Sequence, residues 1–111
     1  MKIDISCVGL DLTQAFSDYV EEKIGSCSDF VKRFEEKGEL NLFFKIARTT
    51  KHHIHGDVFT AEAMIQLPGK MVHAKSIGSD ARAVVDELKD ELKIELRKQK
   101  EKAVSKSKGR K

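Results

Sequence analysis

The sequence predicts an α+β fold, a two-layer sandwich in which two helices cover one face of a four-stranded sheet. Apolar residues alternate with period two in four segments and recur every three or four residues in two others. These segments follow one another in the order β-α-β-β-β-α. Two helices that follow different strands can pack on the same side of a sheet, so we expect its second face to be open to solvent or to a partner.

The first strand and the first helix are predicted near the N-terminus. Residues 2–7 alternate between polar and apolar side chains, which is typical of a half-buried strand. Either Asp11 or Thr13 can then cap a helix with apolar residues at helical spacing. We expect this helix to continue towards Phe30 or Phe34.

Three further strands are predicted in the middle of the chain. Period-two alternation begins at residue 39, and a third strand is expected over 57–67. The Pro68-Gly69 pair favours a tight turn into a fourth strand over 70–77. The first two strands should be parallel, because a helix connects them, and the last three should form an antiparallel meander.

The last helix opens after Gly78, with Ser79 or Asp80 as its N-cap. At about 100° of rotation per residue, one of its sides is apolar and is predicted to be buried, with Ala81, Val85, Leu88, Leu92 and Leu96. The neighbouring side is cationic apart from Asp86 and contains Arg82, Lys89, Lys93, Arg97 and Lys100.

Positive charge is concentrated in this helix, although the whole chain has a net charge of only +3. Residues 89–111 contain ten Lys or Arg against four Asp or Glu, whereas residues 1–88 contain eleven against fourteen. Like charges four residues apart destabilise a helix by roughly a few tenths of a kcal/mol per pair. The segregation of charge therefore favours a nucleic-acid surface over its alternative, a solvated Lys/Glu helix.

Composition predicts one small domain over residues 1–102, followed by a basic flexible tail over 103–111 that lacks apolar periodicity. The sequence has no run of eighteen apolar residues and no apolar stretch typical of a signal peptide, so we expect a soluble cytoplasmic protein without membrane contact. Cys7 and Cys27 are expected to be reduced thiols.

Catalytic motifs are absent from the sequence, which shows no phosphate-binding P-loop, no nucleophile elbow and no H-E-x-x-H helix. Three histidines, His52, His53 and His55, lie in a predicted hairpin loop. Adjacent loop histidines seldom converge on one ion, so a metal-handling function is the weaker interpretation. The sequence predicts a protein that is not an enzyme and has no metal, cofactor or small-molecule substrate.

Further cations could extend the basic side of the last helix. Lys23 lies on the first predicted helix, Lys45 and Arg48 lie on or near the second strand, and Lys75 lies on the fourth. Each of them alone is compatible with an ordinary solvated charge. Together with the helix they could form a continuous cationic track.

Several motifs resemble the ribosome hibernation promoting factor and ribosome-associated inhibitor family, also known as sigma-modulation or light-repressed proteins. They are the element order, Val72-His73-Ala74, the Gly78-x-Asp80 turn and the helix that begins at Asp80. The family's last helix typically reads D-x-Y-A-A-I-D-x-x-x-D-K-L-x-R-Q-L-x-K-x-K. This chain matches that pattern at Asp80, Ala83, Val85, Asp86, Asp90, Leu92, Leu96, Lys98 and Lys100.

The chain departs from the family pattern on the same helix. Arg82 stands where the family usually has Tyr, Glu91 replaces a Lys, and Ile94 replaces an Arg. On the first helix, Ser26 stands where a further Lys is common. The cationic pattern is therefore shifted along the last helix relative to the family.

The resemblance implies a fold similar to double-stranded-RNA-binding domains and a site in the tRNA and mRNA path of the small ribosomal subunit. It implies contacts with ribosomal RNA that stop initiation on idle ribosomes, as in stationary phase or stress. By the resemblance, the RNA-contacting residues include Lys23, Lys45, Arg48, Lys98, Lys100 and Lys102. The residue pattern itself adds Arg82, Lys89, Lys93 and Arg97.

Length indicates a short-type member of that family, without the second domain that pairs two ribosomes, and we expect a monomer when the protein is free. The alternative function is a protein-interaction module that modulates a transcription or stress-response complex through the open sheet face. RNA binding should depend on salt and on the basic helix, whereas a protein partner should depend on exposed apolar residues such as Phe43.

Overall fold

The computed structural model describes residues 1–36, 38–50 and 57–108 and confirms the predicted α+β class. Its elements are β1 (Lys2–Val8), α1 (Gln14–Gly25), a 3-10 segment (Ser26–Phe30), α2 (Lys32–Glu35), β2 (Asn41–Thr50), β3 (Asp57–Leu67), β4 (Lys70–Gly78) and α3 (Ala81–Lys108). Among the described residues, no helix combines the length and the apolar character needed to cross a membrane.

The four strands form one sheet in the order β1-β2-β3-β4. β1 is parallel to β2, with Ile5 opposite Phe44. The β2–β3 and β3–β4 pairs are antiparallel, with Phe44 opposite Ala63 and Ala63 opposite Ala74. The predicted topology is therefore confirmed, including the parallel pair that the crossover through α1 requires.

The core lies between one face of this sheet and the helices. Alternate strand residues and one stripe of each long helix supply its buried side chains, which include Phe16, Val20, Ile24, Leu42, Phe44, Ile46, Ile65, Val72, Val84, Val85, Leu88, Leu92 and Leu96. The predicted stripe of α3 is confirmed, except that Ala81 is only partly buried and that Val84 belongs to it as well. Burial of this stripe fixes the rotation of α3 about its axis.

Both long helices begin at residues that the sequence identified as possible caps. The hydroxyl of Thr13 accepts a hydrogen bond from the Phe16 amide at 3.1 Å. The carboxylate of Asp80 accepts one from the Ala83 amide at 2.9 Å. Each cap satisfies a donor that the helix leaves unpaired.

A side-chain hydrogen bond also joins the sheet to α3. The buried hydroxyl of Ser76 on β4 donates to the Glu87 carboxylate at 2.8 Å.

The first helix differs from the prediction of one continuous helix to Phe30 or Phe34. The α-helical part ends at Gly25. The chain then forms the 3-10 segment, and α2 follows as a single short turn. Gly25 lowers helical stability, and the tighter 3-10 geometry is common at helix ends. Cys27 and Val31 remain fully buried across this change.

α3 continues past residue 102, where the sequence places the end of the domain, and remains helical to Lys108. Apolar periodicity stops near Leu96, but the following residues include no helix breaker before Gly109. The assignment of residues 103–111 as a basic tail stays a prediction.

Two glycines are required where the backbone approaches its neighbours closely. Gly9 has a φ of 77°, and a Cβ there would lie 2.6 Å from the Arg48 carbonyl oxygen. At Gly78, a Cβ would lie 2.9 Å from a methyl group of the buried Val84. These contacts fix the end of β1 against β2 and the entry of α3 against β4.

Leu92→Ala should destabilise the protein by about 2–5 kcal/mol, because Leu92 is fully buried at the centre of the α3 stripe. That is a large part of the stability of a small domain. Thermal or denaturant unfolding measures it. Ile94→Ala is the matched control, since Ile94 is 45% exposed on the same helix. Equal unfolding curves for Leu92→Ala and the parent would contradict the helix phase.

Candidate nucleic-acid interface

α1 with its 3-10 extension packs alongside α3, and the two run in the same direction. Tyr19 contacts the first turns of α3, Cys27 lies beside Lys89, and Phe30 lies beside Arg97. We call this line of contact the α1–α3 seam. It runs along the outer surface of the helical layer, on the side of α3 next to its buried stripe.

Four of the predicted RNA-binding cations follow the α3 side of this seam. They form a surface that we call the basic ridge: Arg82, Lys89, Lys93 and Arg97. Arg82 and Arg97 are exposed, whereas Lys89 and Lys93 are partly buried. At 1.5 Å per residue, the ridge is about 22 Å long.

Tyr19 joins the two helices at the end of the seam where α3 begins. Its hydroxyl donates a hydrogen bond to the Asp86 carboxylate at 2.7 Å. The Arg82 guanidinium carbon lies 4.9 Å from the centre of the Tyr19 ring, and the Lys23 ammonium lies 5.6 Å from it. Both distances are within the range of cation–π attraction. Lys23 on α1 is thereby brought to the same place as Arg82.

A second aromatic contact lies at the other end of the ridge. The guanidinium carbon of Arg97 lies 5.8 Å from the centre of the Phe30 ring in the 3-10 segment. Phe30 is partly buried against the core. An aromatic ring therefore lies under a cation at each end of the basic ridge.

Cys27 lies beneath the middle of the seam and is fully buried. Its thiol contacts the Lys89 carbonyl oxygen at a sulfur–oxygen distance of 3.9 Å. Burial raises the pKa of the Cys27 thiol to about 11, against the smaller opposing effect of Lys93 and Lys89. Both Cys27 and Cys7 are free thiols, as predicted, and Cys27 is protonated at neutral pH.

The remaining predicted cations of α3 lie beyond or beside the ridge. Lys98 is exposed and pairs with Glu95 at 3.3 Å. The backbone positions of Lys100 and Lys102 belong to α3, close to its last turns. Their RNA-binding roles stay predictions.

Two of the strand cations, Lys45 and Lys75, do not join the ridge. Lys45 lies on the open face of the sheet, because side chains alternate along β2 and its neighbours Phe44 and Ile46 are buried on the other face. Its cross-strand neighbour on β3 is Glu62, whose carboxylate lies 4.0 Å from the Lys75 ammonium on β4. The sheet separates this row from α3, so Lys45 and Lys75 do not continue the cationic track.

Arg48 lies near the end of β2, at a position whose alternation faces the helical layer, and it is exposed. It pairs across the sheet with Phe59. Its position beside Gly9 places it at the end of the sheet, away from the Lys45 row.

The open sheet face carries several exposed apolar side chains among its polar ones, and of these the sequence predicted only Phe43. Phe43 is 52% exposed and lies opposite Met64, and Met71, Ile77 and Val8 are also exposed there. A depression of about 300 Å³ on this face is lined by Asp4, Ser6, Phe43, Lys45, Glu62 and Met64.

The candidate metal site is not tested, since the loop with His52, His53 and His55 lies outside the described residues. Among the residues that the structure describes, no three His, Cys, Asp or Glu side chains form a metal-binding group. His73 is on the open face, 3.6 Å from Glu62.

The fold and the seam define a small α+β module with a line of cations beside two parallel helices. The model of the family described as Sigma 54 modulation protein / S30EA ribosomal protein matches residues 3–104. The chain belongs to this family. The resemblance stated from the sequence is thus confirmed.

Two curated relatives share about a third of their residues with this chain. A ribosome hibernation promoting factor of Pseudomonas putida is 30% identical over 105 residues, covering 95% of this chain and 92% of the relative. Its counterpart in Azotobacter vinelandii is 30% identical over 109 residues, covering 98% and 92%.

Solved structures share the same fold. A ribosomal subunit interface protein from Coxiella burnetii superposes with a TM-score of 0.69 at 24% identity, covering 90% of this chain and 98% of that one. The N-terminal domain of Protein Y from Thermus thermophilus has a TM-score of 0.68 at 25% identity, covering 88% and 98%.

Reversing the ridge with Lys89→Glu, Lys93→Glu and Arg97→Glu should abolish association with ribosomes while the protein stays folded. The variant loses the ion pair of Lys89 with Asp90 and gains like-charge pairs worth roughly a few tenths of a kcal/mol each, so it should stay folded with a somewhat lower Tm. Co-sedimentation with purified ribosomes measures binding, and circular dichroism with a melting curve checks the fold.

The matched control reverses three cations of the strands and their turn, Lys2, Lys70 and Lys75, with the same change in net charge. This control should keep most of the binding. Parent-like pelleting of the ridge variant would show that the ridge is not the binding surface. Equal loss in both variants would assign binding to net charge alone.

Proposed function

We propose that this chain is a ribosome-associated translation inhibitor that binds small-subunit rRNA in the tRNA and mRNA path of idle ribosomes. The inhibition is steric and needs no catalysis, because a module seated in that path occupies the space of the initiation ligands. The single observation that carries the proposal is the basic ridge beside α1. The names of the relatives, ribosome hibernation promoting factors, agree with it.

The ridge suits RNA better than it suits an acidic protein. It presents four cations of α3 along one line, with Lys23 of α1 close to Arg82, and phosphates are spaced regularly along a nucleic-acid strand. Arginine provides bidentate donors for phosphate oxygens, and the lysines add point charges. Such contacts are largely independent of sequence, so the shape of the rRNA sets the site.

The proposal extends to the location and state of the protein. Ribosomes are its partner, so it acts in the cytoplasm, and the free protein is a monomer. It requires no cofactor and converts no small molecule.

The exposed apolar side chains of the open face favour a second candidate function, a protein-interaction module that modulates a transcription or stress-response complex. Such a partner would depend on exposed apolar residues such as Phe43, which is on the opposite side of the sheet from the ridge. Its binding would survive reversal of the ridge. The two functions therefore separate by which substitutions abolish binding.

Raising salt from 50 to 200 mM should weaken binding to small subunits on the order of 10³-fold. This follows if about six phosphates are neutralised by the ridge, Lys100 and the basic C-terminal residues, since each contact releases a counterion. Co-sedimentation across a salt series measures the slope. Single Lys→Ala changes on the ridge should each reduce that slope by about one unit. A slope near zero would contradict phosphate binding and favour a protein partner.

Binding should also compete with initiator tRNA and mRNA. Small subunits are incubated with the protein before or after an initiation complex is assembled, and bound protein is measured by sedimentation. We expect binding to empty subunits and exclusion from initiated ones. Equal binding to both would rule out steric occlusion, even if RNA binding itself were established by the salt series.

A further inference from the structure

We propose that Tyr19, Lys23 and Arg82 form a phosphate clamp for RNA across the α1–α3 seam, in which Tyr19 is the positioning residue for the two cations. The clamp deepens the function proposed above and rests on it. It assigns one part of the binding surface to a residue with no charge of its own.

The first step is the geometry of the ring. Arg82 lies on α3 and Lys23 on α1, yet both cations lie within 6 Å of the Tyr19 ring centre, at 4.9 and 5.6 Å. Side chains of this length otherwise sample many rotamers, and ordering them costs binding free energy. The ring lowers that cost, because its face attracts both cations before RNA arrives.

The second step concerns Asp86, a carboxylate on the cationic side of α3 between Arg82 and Lys89. Asp86 is one turn after Arg82, at the spacing at which the two side chains can pair. Its Oδ1 instead accepts the Tyr19 hydroxyl at 2.7 Å. This hydrogen bond and, to a smaller extent, burial raise the pKa of Tyr19, so the phenol stays protonated and remains a donor. Tyr19 therefore occupies one oxygen of the carboxylate and weakens its competition with phosphate for Arg82.

The third step is the exposure of the cations. Arg82 is exposed, so its guanidinium can offer its N–H groups to phosphate oxygens while it stays within cation–π distance of the ring. Lys23 is partly buried and less free to move. A phosphate that approaches the seam at this point meets one cation from each helix.

Arg82→Tyr removes the charge while keeping a large side chain at the seam, so this substitution should remove the clamp as Arg82→Ala does.

A double-mutant cycle tests the clamp through affinity for small subunits at several salt concentrations. Tyr19→Leu, Arg82→Ala and the double variant are compared with the parent, after melting curves establish that each is folded. Tyr19→Leu should weaken binding on the order of fivefold. Arg82→Ala and Arg82→Tyr should each reduce the salt slope by about 0.9. In the Arg82→Ala background, Tyr19→Leu should cost less than half its effect in the parent, because part of its action depends on Arg82.

Lys98→Ala provides the matched cycle, since Lys98 is an exposed cation of the same helix that pairs with Glu95 rather than with Tyr19. Tyr19→Leu and Lys98→Ala should be additive. Additivity of Tyr19→Leu with Arg82→Ala as well would overturn the clamp. If instead the parent failed to bind ribosomes, the proposed function itself would fail, so the two failures are distinguishable.

Tyr19→Phe keeps the test decisive if the Leu variant does not fold. Phenylalanine retains the ring under both cations, so the parent salt slope should be kept within about half a unit. Affinity should fall about twofold, because Asp86 then becomes available to Arg82. A slope reduced as far as that of Arg82→Ala would show that the ring does not hold the cations and would overturn the proposal.

Discussion

Burial of one stripe of α3 determines where the cations of this helix can point. Leu88, Leu92 and Leu96 are fully buried against the sheet, and each turn of the helix repeats this constraint. Side chains three or four residues apart share a face, so the cations beside this stripe all lie along α1. A helix rotated by a third of a turn would place the same lysines on a different surface. The packing of the core and the placement of the basic ridge are therefore one constraint.

Periodicity in the sequence was sufficient for the parts of the structure that are set locally. The limits of β3 and the buried face of β2 follow from neighbouring residues, and the structure agrees with both. For each cap the sequence left two candidates, and the structure selects Thr13 over Asp11 and Asp80 over Ser79. The cationic side of α3 was also predictable, because helix geometry relates it directly to the apolar stripe. Val84 was missed, since it lies at the margin of that stripe, where packing against Gly78 decides burial.

Contacts between distant segments could not be predicted in the same way. The hydrogen bond of Tyr19 to Asp86 joins residues 67 positions apart and depends on how far α1 slides along α3. Arg97 and Phe30 meet for the same reason. Lys45 shows a different error. Alternation correctly indicated its face of the sheet, but the prediction of a continuous cationic track overlooked that the sheet separates this face from α3. A single sequence contains the phase of each element, but not the register between elements.

The shared direction of α1 and α3 has a consequence for the electric field along the seam. Peptide dipoles of both helices point the same way, so their partial positive charges lie at the ends that begin at Thr13 and Asp80, and their partial negative charges lie at the opposite ends. Lys89, Lys93 and Arg97 come after the first turns of α3, beyond the reach of its positive end, whereas Arg82 and two capping or bridging carboxylates lie close to that end. The net positive charge of the side chains thus increases along the seam from the start of α3, while the positive potential from the backbone dipoles falls. A polyanion lying along it would meet a more even potential than the count of lysines and arginines suggests.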